Sequence, residues 1–340
     1  MVVRGRHTSV LITGITGRVG SELATSLSAR GTRIVGIVAP NDPGIEQLRA
    51  RVPGVELYSA DLSVERIPSA ATDAIDAVVH LAALLVVGER MPEDVYNLNT
   101  LGVLRVLEPF IDRGAVPRIV FASTDGAYGN VGLEDVVFSE DAPLKACDYY
   151  SNSKVLAEHL LSSFACQYGL PYVILRFATV LARGAATDFF RFASQKRRLR
   201  QVEAGRRSNL WPLFEDAADM HALLAVNNEE LNPPVALLGP GGKPWKLPLV
   251  DVRDVVQAVS LALEAEPCPD TVFNVSGPRT VDQVEAVRML ARRVAVEGHV
   301  VHVPRGWRYD LDISKARQML CYKPQWSFEA MLEDHEWEAV

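Results

Sequence analysis

Thr13-Gly14-Ile15-Thr16-Gly17-Arg18-Val19-Gly20 directly follows the apolar run Val10-Leu11-Ile12 and opens a segment whose apolar residues recur at helical spacing. A strand that turns on glycines into a helix N-terminus forms an anion site, because unpaired amides and the helix dipole both point at a pyrophosphate. The next strand-like run is Ile34 to Val38. A glycine-rich turn alone needs no ligand, but a strand before it and a helix after it predict dinucleotide binding.

Strand-like runs alternate with helical patterns in the first part of the chain. They are Val10 to Ile12, Ile34 to Val38, Val55 to Tyr58, Ala77 to Val79, Ile119 to Ala122 and Tyr172 to Phe177. This alternation predicts an α/β fold with a Rossmann-type doubly wound parallel sheet covered on both faces.

The Pro- and Gly-rich piece Asn232 to Pro248 breaks that rhythm. A predicted helix, Asp251 to Ala265, and a returning strand, Val272 to Val275, come after it. We therefore expect a dinucleotide-binding domain at 1–181 plus 251–278. A smaller, mainly C-terminal α/β substrate lobe is expected at 182–250 plus 279–340.

Tyr150-Ser151-Asn152-Ser153-Lys154 places a phenol and an ammonium four residues apart. On a helix these side chains share one face. A lysine cation there would lower the pKa of the tyrosine and suit it to moving a proton on or off a hydroxyl. The same spacing also occurs on solvated helix faces that have no chemical role.

Together these segments resemble the short-chain dehydrogenase/reductase superfamily. Further stretches resemble its extended branch, the NAD-dependent epimerase/dehydratase family related to nucleotide-sugar epimerases. The matching stretches are Asp61-Leu62, Leu81-Ala82-Ala83, Asn99-Thr100-Leu101-Gly102, Phe121 to Gly129, Val252-Arg253-Asp254-Val255, Phe273-Asn274-Val275 and Asp312 to Ala316. The resemblance covers nearly the whole chain.

The resemblance implies a set of catalytic residues, Thr124, Tyr150, Lys154 and Asn99, and a nicotinamide cofactor that carries a hydride. It also implies the cofactor-binding residues Gly14, Thr16, Gly17, Arg18, Val19, Gly20, Asn41, Asp61, Leu62, Leu81, Ala82, Ala83, Asn99, Ala122, Ser123, Tyr150, Lys154, Phe177 and Thr179. Tyr150 would exchange a proton with the substrate oxygen while Thr124 bonds the same oxygen. His80 ends an apolar run and is expected to be a core histidine without a chemical role.

Departures from the family pattern bear on the substrate. Gly126 stands where dTDP-glucose 4,6-dehydratases carry a glutamate, which argues against a dehydratase of that type. Ala178 to Gly184 lacks the asparagine and Gly-Pro-Gly usual in sugar-nucleotide enzymes. The candidate substrate contacts are Asp125, Gly126, Thr179 and Arg183. Three functions stay open: an epimerase-like enzyme on a sugar nucleotide, a ketoreductase or alcohol dehydrogenase on another small molecule, and a non-catalytic dinucleotide sensor.

The end of the second strand bears on the choice between NAD and NADP. A carboxylate there would accept hydrogen bonds from the ribose hydroxyls of NAD, whereas an arginine would bind the extra phosphate of NADP. The chain reads Val38-Ala39-Pro40-Asn41-Asp42, with no basic residue before Ile45. This favours NAD, while Arg18 and Arg33 leave NADP open.

Bulk properties suggest an intracellular enzyme. The chain has 340 residues, 48% of them hydrophobic, and a formal charge of -7, which argues against a nucleic-acid partner. The four cysteines have no paired spacing, so neither a metal site nor a disulfide framework is expected. We expect neither a membrane span nor a signal peptide, and hence a cytoplasmic protein. A homodimer is implied by the resemblance alone.

Overall fold

The structure is a computed structural model that describes residues 7–85, 91–129, 135–200, 205–208, 231–265, 272–303 and 305–334. Its strands are β1 Ser9–Thr13, β2 Arg33–Val38, β3 Glu56–Ser59, β4 Ala77–His80, β5 Arg118–Thr124, β6 Val136–Phe138, β7 Tyr172–Phe177, β8 Thr179–Leu181, β9 Val235–Leu238, β10 Lys246–Leu247, β11 Leu249–Asp251, β12 Val272–Val275, β13 Val281–Asp282, β14 His299–His302 and β15 Tyr309–Leu311. Its α-helices are α1 Arg18–Ser28, α2 Ile45–Arg51, α3 Pro92–Asn99, α4 Leu101–Ile111, α5 Tyr149–Tyr168, α6 Ala186–Phe189, α7 Phe192–Arg200, α8 Val252–Glu264, α9 Gln283–Val294, α10 Ser314–Met319 and α11 Phe328–Glu333.

Seven parallel strands form the main sheet in the order β12-β7-β5-β4-β1-β2-β3. The predicted doubly wound sheet is confirmed, and each of the six predicted strands is found within one or two residues of its expected bounds. The strand order reverses between β1 and β4. In such sheets a ligand crevice opens beyond the carboxyl ends of the strands at this reversal.

Buried apolar side chains cover both faces of the sheet, as the continuous apolar character of its strands predicts. One cluster includes Val10, Ile12, Leu23 of α1 and Val259 of α8. The other includes Leu11, Val106 of α4 and Leu161 of α5. Neighbouring residues of a strand thus alternate between the two clusters, so the helices that carry the candidate site residues pack on opposite faces of one rigid sheet.

In the described residues, four pairs of short strands lie outside the main sheet. They are β8 with β11, β9 with β14, β10 with β13 and β6 with β15. β6 falls within the range predicted for the dinucleotide-binding domain, yet it pairs with β15 near the C-terminus. This pairing brings Tyr309 of β15 close to the residues that follow β5. Within the described part of the chain, no helix combines the length and apolar character needed to cross a membrane.

Candidate active site

The glycine-rich turn between β1 and α1 forms a tight backbone cradle. Gly14 has a φ of +65°, and a Cβ there would lie 2.9 Å from the backbone nitrogen of Ala82. A Cβ on Gly20 would lie 2.3 Å from the carbonyl oxygen of Gly14. Only glycine allows this turn to approach both the first turn of α1 and the segment after β4.

The N-terminus of α1 has properties suited to a phosphate. Gly17 is the N-cap residue, no side chain caps the helix, and its first turn contains no acidic residue. The first amides of the helix therefore point out of the turn without a side-chain acceptor, and the helix dipole adds positive potential. Cradle and helix end together fit the pyrophosphate of a dinucleotide.

A cavity of about 550 Å³ begins at this cradle and extends past the ends of β4, β5 and β7. The predicted site residues that line it are Gly14, Gly17, Arg18, Val19, Gly20, Leu81, Ala83, Ala122, Ser123, Thr124, Asp125, Tyr150, Lys154, Phe177 and Thr179. Leu85, Ala178 and Val180 also line it and were not predicted. They are apolar residues next to predicted ones, so only their proximity to those positions could have signalled them.

Eight predicted site residues do not line this cavity: Thr16, Asn41, Asp61, Leu62, Ala82, Asn99, Gly126 and Arg183. The Thr16 hydroxyl donates to Asp42 at 2.6 Å, so it is tied to the turn after β2, where Asn41 has a φ of 59°. Asp61 accepts bonds from the amide and hydroxyl of Ser63, which hold its pKa below the usual range, and Leu62 is buried beside it.

Arg183 lies outside the cavity. Its Nε is 3.5 Å from Oε2 of Glu22 on α1, and it lines a separate groove between α1 and α8. The structure therefore gives no support to a substrate contact by Arg183. The arginine follows β8 in sequence, and the direction in which the chain leaves that strand carries its side chain away from the cavity.

Tyr150 and Lys154 lie on the first two turns of α5, and both line the cavity as the helical spacing predicts. Asp148 caps this helix by accepting a bond from the amide of Ser151 at 2.8 Å. Thr124 ends β5, and its hydroxyl oxygen accepts a bond from the amide of Gly126 at 3.1 Å. Phenol, ammonium and hydroxyl thus face one cavity from two elements, β5 and α5.

Lys154 is 1% exposed, and its Nζ lies 4.0 Å from the centroid of the Phe121 ring. Burial lowers the pKa of Lys154 to about 7, and the carboxylate of Glu158, one turn further along α5, opposes that shift. Glu158 in turn accepts two bonds from Arg176, the shorter at 2.7 Å. The sequence interpretation missed Glu158, although its i+4 spacing from Lys154 is a signal that could have found it.

The prediction that Lys154 lowers the pKa of Tyr150 is wrong for this structure. Burial raises the pKa of Tyr150 above its usual value, and the carboxylates of Asp125 and Asp148 raise it further. A bond with the Thr124 hydroxyl acts in the opposite direction. The two carboxylates lie nearby through tertiary packing, which the Tyr-Lys spacing could not reveal.

Asn99 is fully buried behind the cavity and serves as a tie between elements. Its Oδ1 accepts a bond from the amide of Leu84 at 2.7 Å, and its Nδ2 donates to Ser153 Oγ at 2.9 Å. Ser153 Oγ donates to the carbonyl of Tyr150 at 2.7 Å. Asn99 thus positions the segment after β4 against the helix that carries Tyr150 and Lys154.

His80 is buried at the end of β4 and forms a stacked pair with Phe121. Its Nδ1 lies 2.7 Å from the Thr13 hydroxyl, while Nε2 has no hydrogen-bond partner in the described residues. Burial, followed by the charge of Lys154, lowers the pKa of His80 to about 3. A neutral imidazole packed against the sheet agrees with a core position, although one of its nitrogens is unsatisfied.

Asp125 is 7% exposed and contributes a carboxyl group to the cavity wall. Its Oδ2 accepts a bond from the hydroxyl of Tyr309 at 2.6 Å. Burial raises the pKa of Asp125 to about 6, against the opposing effect of the Tyr309 bond. A Cβ on the next residue, Gly126, would lie 2.3 Å from Ser151 Oγ, so this position has no room for a glutamate unless Ser151 moves.

Comparisons with known proteins agree with this geometry. The model of the NAD dependent epimerase/dehydratase family matches residues 10–276. A UDP-glucose 4-epimerase of Azospirillum brasilense is 35% identical over 175 residues, which are 50% of this chain and 49% of that protein. A probable UDP-arabinose 4-epimerase 3 of Arabidopsis thaliana is 28% identical over 88% of this chain and 71% of that protein. The chain spans about half the length of the first curated relatives that it matches.

Many solved structures share the fold, and two of them are compared with this chain. A short-chain dehydrogenase/reductase superfamily protein from Agrobacterium tumefaciens with bound NAD has a TM-score of 0.78 at 24% identity, over 96% of this chain and 95% of that one. The UDP-glucuronic acid 4-epimerase from Bacillus cereus in complex with NAD has a TM-score of 0.70 at 22% identity, over 96% of this chain and 94% of that one.

Proposed function

The chain belongs to the NAD dependent epimerase/dehydratase family, and from this we propose that it is an epimerase that inverts a secondary hydroxyl of a sugar nucleotide. The observation that carries the proposal is the single cavity that holds the glycine cradle together with Thr124, Tyr150 and Lys154. A dinucleotide sensor would need the cradle but not the three proton-handling side chains.

We propose NAD as the cofactor. The cradle and the uncapped N-terminus of α1 fit its pyrophosphate, and Phe177, Thr179 and Lys154 would hold the nicotinamide half. Asp42 follows β2, where a carboxylate bonds ribose hydroxyls and repels the extra phosphate of NADP. Its oxygens accept bonds from Thr16 and Gly44, and no arginine or lysine pairs with it in the residues described. A bound NAD would supply the acceptor, and afterwards the donor, of the hydride of the carbinol carbon.

The protein's own residues then handle the proton. Tyr150 takes it from the substrate hydroxyl and later gives it back, while Thr124 bonds the same oxygen and fixes its position. Because burial raises the pKa of Tyr150, the phenol has to lose its own proton to solvent before it can take the proton of the substrate hydroxyl. Lys154 lies one turn further along α5 in the same cavity, where it would hold the nicotinamide half of the cofactor. Inversion also requires the oxidised sugar to present its opposite face before the hydrogen returns.

The names of the relatives suggest the substrate. They are UDP-glucose, UDP-glucuronate and UDP-arabinose 4-epimerases, so we propose a UDP-sugar and inversion at C4. Of the candidate substrate contacts, Asp125 and Thr179 line the cavity, and we propose that they meet the sugar nucleotide.

Assembly and compartment remain proposals as well. Leu101 of α4 and Leu156 of α5 are exposed apolar residues, and we propose that a homodimer forms through this helical face. Sedimentation of the protein at the mass of one chain would contradict it. We propose the cytoplasm as the compartment, where the thiols of Cys166 and Cys321 would stay reduced, and Cys268 lies outside the described residues.

The nucleotide that the purified protein retains tests this function. An epimerase returns the hydride to the same molecule, so its cofactor need not leave. We expect denaturation to release close to one NAD per chain, measured by mass spectrometry. A protein that is empty as purified, and that oxidises added NADH or NADPH with a ketone, would instead be the ketoreductase that the altered 178–184 stretch allows.

A further inference from the structure

Asp125 has an unusual position for an ionisable group. It directly follows Thr124, and its Oδ1 lies 3.3 Å from the Thr124 hydroxyl oxygen. Its other oxygen is held by Tyr309, which comes from β15, 184 residues away in sequence. A carboxyl group is therefore fixed in the cavity wall beside the hydroxyl that, in the proposed function, meets the reacting oxygen.

No cation neutralises this carboxyl group in the part of the chain that the structure describes. The groups that face it are Thr124, the phenols of Tyr309 and Tyr150, and backbone amides. The cavity's two cations are engaged elsewhere: Lys154 lies over Phe121 beside Glu158, and Arg18 donates to the carbonyl of Val180. When ionised, Asp125 therefore gives this part of the cavity a negative charge.

We propose that Asp125 is a specificity residue that rejects sugar nucleotides whose sugar carries a carboxylate and admits those with neutral hexose or pentose units. This rests on the proposed function. The carboxylate of a uronate is bonded to C5, next to the C4 carbon whose oxygen Thr124 and Tyr150 would hold. It would then lie within a few ångströms of Asp125, and two like charges in a buried cavity repel strongly.

A neutral sugar meets the same residue without that cost. Oδ1 of Asp125 lies at a long 3.3 Å from the Thr124 hydroxyl oxygen, and a carboxylate oxygen has more than one lone pair with which to accept a bond from a sugar hydroxyl. Hydrogen bonds to a charged acceptor are stronger than neutral ones. Attraction of a sugar hydroxyl and repulsion of a sugar carboxylate by Asp125 therefore both favour the binding of neutral sugars over uronates.

The test compares UDP-glucose with UDP-glucuronate on the protein as purified. Dissociation constants from calorimetry and kcat/KM values are measured for the wild type, Asp125→Asn and Asp125→Ser. Asparagine keeps an oxygen that can accept the Tyr309 bond, so this variant is expected to fold, and the serine variant provides a second uncharged side chain. Asp141→Asn is the control, since Asp141 is an exposed aspartate on the turn after β6.

We expect the wild type to favour UDP-glucose on the order of a hundredfold or more, the size of a close like-charge repulsion at an intermediate dielectric. Both Asp125 variants should reduce the preference for UDP-glucose over UDP-glucuronate at least tenfold, mainly through tighter binding of UDP-glucuronate. Asp141→Asn should leave this preference unchanged. The preference should also shrink as the pH falls from 8 to 5. The pKa of Asp125 is about 6, so its charge is present above that pH and lost below it.

Equal kcat/KM values of the wild type for UDP-glucose and UDP-glucuronate would overturn the proposal. A preference for UDP-glucose that both Asp125 variants keep in full would overturn it as well. The dissociation constants distinguish a failure of this proposal from a failure of the proposed epimerase function. If the dissociation constants show the expected preference but neither sugar is epimerised, the charge effect stands and the epimerase assignment falls. If UDP-glucuronate is epimerised as efficiently as UDP-glucose, the epimerase assignment stands and the proposed role of Asp125 falls.

Discussion

Tyr150→Phe is expected to lower kcat by on the order of a hundredfold or more and to leave the amount of bound NAD almost unchanged. The substitution removes the one hydroxyl that can exchange a proton with the substrate oxygen. It keeps the ring, which lines the cavity, and does not touch the glycine cradle. Steady-state rates and the NAD content of the purified variant measure the two effects.

The neighbouring Tyr149 provides a matched control. It begins the same helix and is partly buried, but its ring packs edge-on against Tyr96 at 6.4 Å and does not line the cavity. Tyr149→Phe should therefore keep near-normal turnover. Turnover of Tyr150→Phe as fast as that of Tyr149→Phe would end the assignment of Tyr150 as the proton-transfer group.

Gly14→Ala is expected to lower the affinity for NAD by on the order of a hundredfold or more. The purified variant should then retain no NAD. A methyl group there would meet the backbone of Ala82 at 2.9 Å, and a φ of +65° is itself unfavourable for alanine. Relief of the overlap must open the turn or displace the segment after β4, and both carry cavity residues. Titration of the variant with NAD, followed by calorimetry, measures the loss.

Gly114→Ala separates the overlap from the backbone strain. Gly114 has a φ of +68°, but an added Cβ would meet nothing within 4 Å. This variant should lose some stability and keep its NAD. If Gly14→Ala bound NAD as tightly as Gly114→Ala does, the turn between β1 and α1 would not be the pyrophosphate site.

Local patterns were sufficient to predict much of the fold and part of the site. The apolar strands and the glycine turn follow from short-range rules on periodicity and positive φ, so the sheet and the cradle could be read from residues 10–20 and their counterparts further on. The Tyr150 and Lys154 pairing follows from helical spacing alone. The order of the family-like stretches then predicted that Thr124 would face the same cavity.

Contacts between distant segments could not be predicted in this way. The bond from Tyr309 to Asp125 joins residues 184 positions apart, and it depends on the pairing of β6 with β15. Burial beside Asp125 and Asp148 reversed the predicted pKa shift of Tyr150. Arg183 pairs with Glu22 because of the path of the chain after β8, which composition does not specify.

The C4 epimerisation of a UDP-sugar without added cofactor tests the central claim most directly. UDP-glucose or UDP-arabinose is incubated with the purified protein, and the anomeric and C4 proton signals are followed by NMR. We predict that the C4 epimer accumulates to equilibrium with no dinucleotide supplied. A sugar that stays unchanged, or that ends as a stable ketone while added NAD is reduced, would contradict an epimerase with a retained cofactor.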